Sequence, residues 1–395
     1  MVYVGIDWAD DHHDVHITND TTKLLAKFQI SHDCDGFADL HNKIKSLAKD
    51  PVSVSIAIET NKGLLVNDLL TAGYTVYAIN PKTVNRYKDR HVLSKAKSDS
   101  IDAEALANIL RTDSHRFRPL KPMPEDYCLL DRLCIDLRKI VDEKSKVLNQ
   151  ITSCLKEFYP KALDIFSLDT NISIAFLKKY PDPQSLSRCK KKSFSAFLKK
   201  QKYSHPKKES ELWRKIKTPA LESDIITTKA GHLRLLALLD QLIPLREHLT
   251  CYEKEVRSIL NNLPTAEPIS TLPGVGERLA PELIAALGPN NDIKHLRFQS
   301  PDEIMKLSGC VPITRQSGKW KKVSVRYACV KTLRRTFYDW AFASLKHSDW
   351  ARAYYDYHKN NNQRHSTILR NLGKKWSKIL FAVWSKKLTY NEELH

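Results

Sequence analysis

Four acidic residues near the start of the chain have the type and spacing of ligands for divalent cations. Asp7 and Glu59 each lie in a segment of alternating apolar residues, on the side opposite the apolar positions. Asp99 and Asp102 are three residues apart, so on a helix they share a face. Four carboxylates at one place repel each other unless cations lie between them, and magnesium prefers oxygen ligands. Such ions can activate a nucleophile and stabilise the leaving oxygen of a phosphodiester.

Each acid by itself also has an ordinary structural explanation. A single Asp is more often a turn or cap residue than a ligand, and we interpret Asp10, Asp11 and Asp14 as turn residues. Asp99 could equally be the N-cap of a helix. The hypothesis of a metal site therefore depends on the joint placement of the four acids.

The elements that would position these acids have the pattern of an α/β domain. Three short strands, a helix, a strand, a helix and a strand precede a closing helix, which predicts a sheet layer of the ribonuclease-H type. Val52, Val54, Ile56 and Ile58 are expected on one side of the fourth strand. The predicted strands are 2–8, 15–18, 27–30, 52–59 and 75–80, and the predicted helices are 35–48, 63–71 and 99–111.

The rest of the chain is predicted to be mainly helical. Leucine and other apolar residues spaced three or four apart predict long helices over 125–160 and 222–263, with a kink at Pro244. These two could pair as an antiparallel coiled coil, either within the chain or with another subunit. Further helices are predicted over 324–346, 349–360 and 367–387. We divide the chain into an α/β domain (1–115), a helical coiled-coil region (116–264) and a mainly helical C-terminal domain (265–395).

Charge is distributed unevenly between these parts. Residues 1–113 contain 13 Lys and Arg against 16 Asp and Glu, a net charge of −3, whereas residues 114–395 contain 51 against 29, a net charge of +22. An acidic first part joined to a strongly basic remainder suggests a cation-binding centre carried by a scaffold that binds polyanions. Charge alone does not separate DNA from RNA.

A basic insert, residues 188–217, contains 12 Lys and Arg and two acids. Its basic residues include Lys190, Lys191 and Lys192, which we predict as nucleic-acid contacts. They are interleaved with aromatic residues, a combination that suits a phosphate backbone and exposed bases. A solvated helical face is an equal alternative. The aromatic residues are Phe194, Phe197, Tyr203 and Trp213.

Residues 269–288 resemble a helix-hairpin-helix. Gly274 and Gly276 would form a tight turn whose backbone N–H groups meet a phosphate at the start of the next helix. Such a motif binds DNA without recognising its sequence. An ordinary turn between two helices is the alternative.

Composition excludes several other classes of protein. No run of eighteen apolar residues is present, so no transmembrane helix is expected. Eight cysteines occur without a Cys-x-x-Cys pair or histidines at zinc-site spacing. We therefore predict that the cysteines are small, buried, apolar residues of the core. No apolar leader is expected at the start of the chain. We therefore expect the protein in a reducing, prokaryotic cytoplasm, associated with the nucleoid.

Taken in order, three short motifs resemble a known family. Gly5-Ile-Asp-Trp, Ala57-Ile-Glu-Thr and Lys97-Ser-Asp-Ser-Ile-Asp-Ala are similar to the DEDD motif of insertion-sequence transposases related to site-specific DNA invertases. The first domain of that family is similar to the Holliday-junction resolvase RuvC. Segments beginning at Gly309 and Trp350 resemble the family's second, transposase domain, so the resemblance covers most of the chain.

The resemblance implies a composite active site. Asp7, Glu59, Asp99 and Asp102 would hold Mg²⁺, with Mn²⁺ as an alternative. Ser317, in a loop over 309–320, matches the family's nucleophilic serine, which becomes linked to a DNA phosphate. From chemistry alone Ser317 is a turn serine without an adjacent His or Asp to activate it.

Further partners follow from the same resemblance. Arg315 and Lys319 flank Ser317 and are predicted nucleic-acid contacts. A structured non-coding RNA would pair with donor and target DNA, and a homo-oligomer, dimer or tetramer, would join the two duplexes. At Val330 relatives often have Asn, which puts that local nucleic-acid contact in doubt. The alternatives are a magnesium-dependent, structure-selective nuclease that uses water, and a nucleic-acid-binding protein without enzymatic activity.

Overall fold

The protein is described by a computed structural model covering residues 1–91, 99–219, 221, 223–290, 296–318 and 320–394. Its chain forms two units, Met1–Met123 and Pro124–His395. The sequence predicts three domains, and that finer division stays a prediction.

The first unit is built on one five-stranded sheet. β1 lies at its centre, antiparallel to β2 and parallel to β4, in the order β3-β2-β1-β4-β5. This is the strand order of a ribonuclease-H-type sheet, so the predicted fold class is confirmed. The strands are β1 (Val2–Trp8), β2 (His12–Asn19), β3 (Leu24–Ser31), β4 (Val54–Ile58) and β5 (Thr75–Ala78).

Helices cover both faces of this sheet. α1 (Cys34–Leu47) and α2 (Leu64–Thr71) pack on the face that carries Val4, Ile6, Ile56 and Ile58. α3 (Pro81–His91) and α4 (Asp99–Asp113) pack on the opposite face. Because successive residues of a strand point to opposite faces, the apolar alternation of β1 and β4 leaves the odd-numbered positions for α4.

Two details of this unit differ from the sequence prediction. The strand predicted over 52–59 begins late, because Pro51–Ser53 form a 3-10 turn in which the Asp50 side chain accepts a hydrogen bond from the Val52 N–H. Val52 is consequently 69% exposed. Helix α3 is absent from the prediction, although an Asn80 side-chain cap before Pro81 is a recognised helix start.

The second unit begins with two long helices separated by four shorter ones. Val147–Phe158 of the first long helix pack against Leu235–Leu242 of the last, so the two predicted helices pair within the chain over this stretch. The helices are α5 (Glu125–Phe158), α6 (Asn171–Lys179), α7 (Pro183–Ser187), α8 (Lys191–Lys200), α9 (Glu209–Lys217) and α10 (Ile225–Asn261).

The aromatic residues of the basic insert are core residues. Phe194 and Phe197 are 0% and 3% exposed, and Tyr203 and Trp213 pack against the same cluster. The interpretation of Phe194 and Phe197 as platforms for exposed bases is therefore wrong, whereas Tyr203 and Trp213 are partly buried. Phe194 and Phe197 are buried because α8 and α9 are too short to pack on their own and close over one shared apolar core.

The C-terminal part is helical around three buried tryptophans, Trp340, Trp376 and Trp384. Its elements are α11 (Ala266–Ser270), α12 (Gly276–Leu287), α13 (Pro301–Ser308), β6 (Ile313–Ser317), β7 (Trp320–Ser324), α14 (Lys331–Ser344), α15 (Asp349–Asn360) and α16 (His365–Lys386). Two predictions are wrong here. The segment 309–320 contains strand as well as loop, and the tail helix begins at Lys331, because residues 320–324 pair with β6.

The cysteines only partly match their prediction. Cys134, Cys154, Cys189 and Cys310 are buried, whereas Cys34, Cys128 and Cys251 are exposed. Cys34 lies at the exposed start of α1, where no core is available to cover it. Across the described residues, no helix combines the length and apolarity needed to cross a bilayer.

Candidate functional site

Asp7 and Glu59 lie at the same edge of the sheet. The parallel strands β1 and β4 are in register at Ile6 and Ile58, and Asp7 and Glu59 are the next residues along the chain. Neighbouring strands are about 4.8 Å apart. Both acids follow the odd-numbered positions that face α4. The prediction from alternation, that two carboxylates converge at one edge, agrees with this register.

Helix α4 brings Asp102 to this edge. The helix packs directly on Gly5, where an added Cβ would lie 2.0 Å from the Ala103 carbonyl oxygen. Only glycine allows this approach, and the approach sets the height of Asp102 above the sheet. Asp99 begins α4, and its side chain lies outside the described residues.

A lysine that the sequence did not single out joins these acids. Lys88 of α3 forms an ion pair with Asp102, and the two side chains are 16% and 22% exposed. Burial raises the pKa of Glu59, the Asp102 carboxylate raises it further, and the Lys88 ammonium lowers it. Glu59, Asp102 and Lys88 therefore interact electrostatically in one partly buried group.

A fifth acid faces Asp7 from the neighbouring strand. Asp14 is the cross-strand partner of Asp7 in the antiparallel pair of β1 and β2, so both side chains lie on the face that α4 covers. The interpretation of Asp14 as a turn residue is wrong, because β2 begins at His12 and includes it. Asp10 and Asp11 do lie in the connection between the two strands.

The carboxylate oxygens at this edge are of the type and charge that magnesium prefers. The Asp102 carboxylate raises the pKa of Glu59, and the Lys88 ammonium lies beside Asp102. Within the part of the chain that the structure describes, no three His, Cys, Asp or Glu side chains form a group that could hold a metal ion. The donor chemistry thus fits Mg²⁺, while the ligand set stays a prediction.

Ser317 lies at the tip of an exposed hairpin. It ends β6 and pairs with Trp320, the first residue of β7; Gly318, which follows Ser317, has a φ of 56°. Its side chain makes no hydrogen bond to any residue that the structure describes, so nothing there activates the hydroxyl. Arg315 lies exposed on the same strand, and Lys319 is outside the described residues.

The remaining predicted nucleic-acid contacts are accessible to different degrees. Lys190, Lys191 and Lys192 are exposed at the start of α8. Gly276 is exposed, with open space around it, whereas an added Cβ at Gly274 would lie 2.6 Å from the Ser344 backbone nitrogen. Gly274 therefore has a packing role against α14, and its contact with phosphate stays a prediction.

Comparisons with known proteins agree on one family. Residues 4–160 match a family described as "Transposase", the DEDD type of IS110, and residues 266–356 match one described as "Transposase IS116/IS110/IS902 family". A Streptomyces coelicolor protein named as the transposase of the IS117 mini-circle is 34% identical over 388 residues, which cover 94% of this chain and 91% of that protein.

Two further similarities extend over different lengths. A 42 kDa protein of insertion element IS900 from Mycobacterium paratuberculosis, described as uncharacterized, is 24% identical over 405 residues, covering 99% of this chain and 97% of that protein. The structure of Thermus thermophilus RuvC aligns with 30% of this chain and all of that chain, with 18% identity and a TM-score of 0.22.

Proposed function

Because this chain belongs to the IS116/IS110/IS902 family of transposases, we propose that it moves an insertion sequence by magnesium-dependent DNA strand exchange through a covalent phosphoserine. The observation that carries the proposal is the group of partly buried acids at the edge of the first sheet. Glu59 interacts with Asp102 there, and Asp7 lies next to the last residue of the adjacent strand β1.

Asp7, Glu59, Asp99 and Asp102 are the residues that would hold Mg²⁺. The bound ion would supply charge neutralisation for a phosphodiester and a lower proton affinity for an oxygen nucleophile. The acids contribute position and negative charge. The packing of α4 on Gly5 keeps Asp102 at a fixed height beside the two strand ends.

Ser317 would be the nucleophile. Its Oγ attacks a DNA phosphorus, the bond to the 3′-oxygen breaks, and that oxygen leaves as a hydroxyl once it has taken up a proton, while the serine proton passes to solvent or a nearby base. The phosphodiester energy is retained in the serine ester, so a 3′-hydroxyl of another strand can reverse the step without ATP. Exposure of Ser317 at a hairpin tip supports this role, since a nucleophile must reach a phosphate on a bulky duplex.

The proposal extends to partners. A structured non-coding RNA that pairs with donor and target DNA would select the sites, leaving the protein to bind backbone and shape. The basic second unit suits such a polyanion, and joining two duplexes would need a homo-oligomer, a dimer or a tetramer. The protein would work at the nucleoid of a prokaryotic cytoplasm.

A covalent-adduct assay tests this function. The full chain is expressed with its own flanking non-coding DNA, mixed with labelled element ends and Mg²⁺, and run on a denaturing gel. We expect a protein-linked DNA band that disappears in Asp7→Ala and in Ser317→Ala. Cleaved DNA without linked protein, unchanged by Ser317→Ala, would instead identify a nuclease that uses water. Unchanged DNA that is nevertheless bound would identify a binding protein without enzymatic activity.

A further inference from the structure

The β6–β7 hairpin presents four side chains with complementary chemistry on one face. Arg315 is the cross-strand partner of Lys322, and Ser317 is the partner of Trp320. Cross-strand partners lie on the same face, and residues two apart along a strand share that face. Arg315, Ser317, Trp320 and Lys322 therefore form one surface, which we call the serine face.

The serine face has unbalanced positive charge. Residues 313–324 contain no Asp or Glu. Like charges directly opposite each other on a sheet destabilise it, and neither Arg315 nor Lys322 forms an ion pair with any residue that the structure describes. An anion lying across the two strands would remove this repulsion. The positive charge of Arg315 and Lys322 is thus available to bind a polyanionic partner.

Trp320 adds an aromatic surface beside the serine. Its side chain is 55% exposed, in contrast to the fully buried Trp340, Trp376 and Trp384. Cβ atoms of cross-strand partners are about 4.5–5.5 Å apart, so the Trp320 side chain begins beside that of Ser317 on the same face. Exposed aromatic rings between cations are the usual recognition surface for unpaired nucleotides, because each base can stack on the ring.

We propose that the serine face binds the DNA strand that is cut, as a locally unpaired strand. Arg315 and Lys322 contact phosphates next to the one attacked by Ser317, and Trp320 stacks on the adjoining base and holds it out of the duplex. This inference rests on the proposed function and deepens it, since it names the form of the substrate. Trp320 is a positioning residue, because it orients the strand without touching the reacting atoms.

Photo-cross-linking tests the contact independently of chemistry. Full-length Ser317→Ala protein is incubated with element-end DNA that carries 5-iodouracil on either side of the cut, and cross-linked peptides are mapped by mass spectrometry. We expect the cross-link on Trp320, and its loss in the Ser317→Ala, Trp320→Ala double variant. A cross-link confined to other segments would overturn the proposal. So would a cross-link to Trp320 that forms only when the iodouracil is placed in the structured non-coding RNA instead of the DNA.

Rates of adduct formation test the positioning role with Ser317 intact. Loss of one stacked base is expected to reduce the rate at saturating DNA about tenfold in Trp320→Ala. Trp320→Phe, which retains a ring, should stay within about threefold of wild type. Tyr357→Ala, which removes an exposed aromatic ring from α15, serves as the matched control and should not change the rate. Equal rates for Trp320→Ala and Tyr357→Ala would refute the role.

The two levels of the hypothesis fail differently. If wild-type protein forms no adduct while Trp320 still cross-links to DNA, the serine mechanism is wrong and the DNA-binding face stands. If the adduct forms on Ser317 without a cross-link to the hairpin, the mechanism stands and the role of Trp320 is wrong.

Discussion

Lys88 decides how the acids at the sheet edge coexist. Its ammonium pairs with Asp102 and lowers the pKa of Glu59. It therefore supplies part of the positive charge that a metal ion would bring to these acids. We expect Lys88→Ala to lower the free energy of unfolding without metal by about 1–3 kcal/mol, because a partly buried carboxylate loses its charged partner. The measurement is urea unfolding in EDTA.

The control for that variant is Lys82→Ala, an exposed lysine of the same helix. Added Mg²⁺ should raise the stability of Lys88→Ala more than that of wild type, because the acids then lack their internal cation. Equal responses to Mg²⁺ in Lys88→Ala, Lys82→Ala and wild type would show that Lys88 does not oppose metal binding.

His13 makes the first unit sensitive to acid. Its side chain is 0% exposed, and its Nε2 lies 2.8 Å from Nδ1 of His32. Burial, with a smaller effect of His32, lowers the pKa of His13 from 6.5 to about 4. The unfolded chain then binds more protons than the folded chain between these pH values, so stability present above pH 6.5 is lost as the pH falls towards 4.

We expect wild-type protein to lose about 1–2 kcal/mol more than His13→Gln between pH 7 and pH 5. Chemical unfolding at both pH values measures the difference. A parallel decline of the two proteins would assign the acid sensitivity to other groups.

At the scale of elements, the contact between α4 and β1 holds the site together. The Gly5 position meets backbone atoms of α4, which unlike a flexible side chain cannot move aside. Gly5→Ala is expected to cost about 3 kcal/mol, the upper end of the usual range for overpacking, and to lower the Tm of the first unit, since overpacking against backbone must displace the helix. Thermal unfolding followed by circular dichroism measures this.

A control for Gly5→Ala is Ala38→Ser, which changes one small side chain of α1 on the other side of the sheet. The two variants should differ both in Tm and in the yield of covalent adduct. A Gly5→Ala protein with wild-type Tm would mean that α4 does not approach the strand as closely as the structure has it.

At the scale of the whole molecule, charge separates an acidic first part from a basic remainder. Residues 114–395 carry a net charge of +22. DNA affinity should therefore fall steeply with salt, because neutralised phosphates release counterions. If the exposed Lys190, Lys191 and Lys192 bind phosphates, changing all three to Gln should reduce the slope of log affinity against log salt by roughly 0.9 for each phosphate that is no longer neutralised.

The matched control changes Lys43, Lys45 and Lys49 to Gln, the same loss of charge on exposed residues in and just after α1 of the acidic part. Fluorescence anisotropy at several salt concentrations gives both slopes. If the two triple variants behave alike, the basic insert has no special contact with DNA, and its lysines are a solvated helical face.

Much of the scaffold follows from local pattern. Alternation of apolar residues predicts β1 and β4 and the side of each strand on which Asp7 and Glu59 lie, and leucine repeats predict α5 and α10. These features are readable because each depends on residues within one or two turns of the chain. Family membership is equally a property of the sequence, since the motifs stand at fixed positions along it.

Other features depend on residues that only folding brings together. Lys88 reaches Asp102, and Asp14 faces Asp7, through helix docking and strand register. The polar, basic composition of 313–324 suggests a loop, yet cross-strand pairing makes it a hairpin. The sequence predicts that Phe194 and Phe197 are available to stack on bases, but neighbouring helices bury both rings. Periodicity determined β1, β4, α5 and α10, and the motifs determined the family, whereas the surroundings of each side chain were decided by packing between distant segments, which no local pattern records.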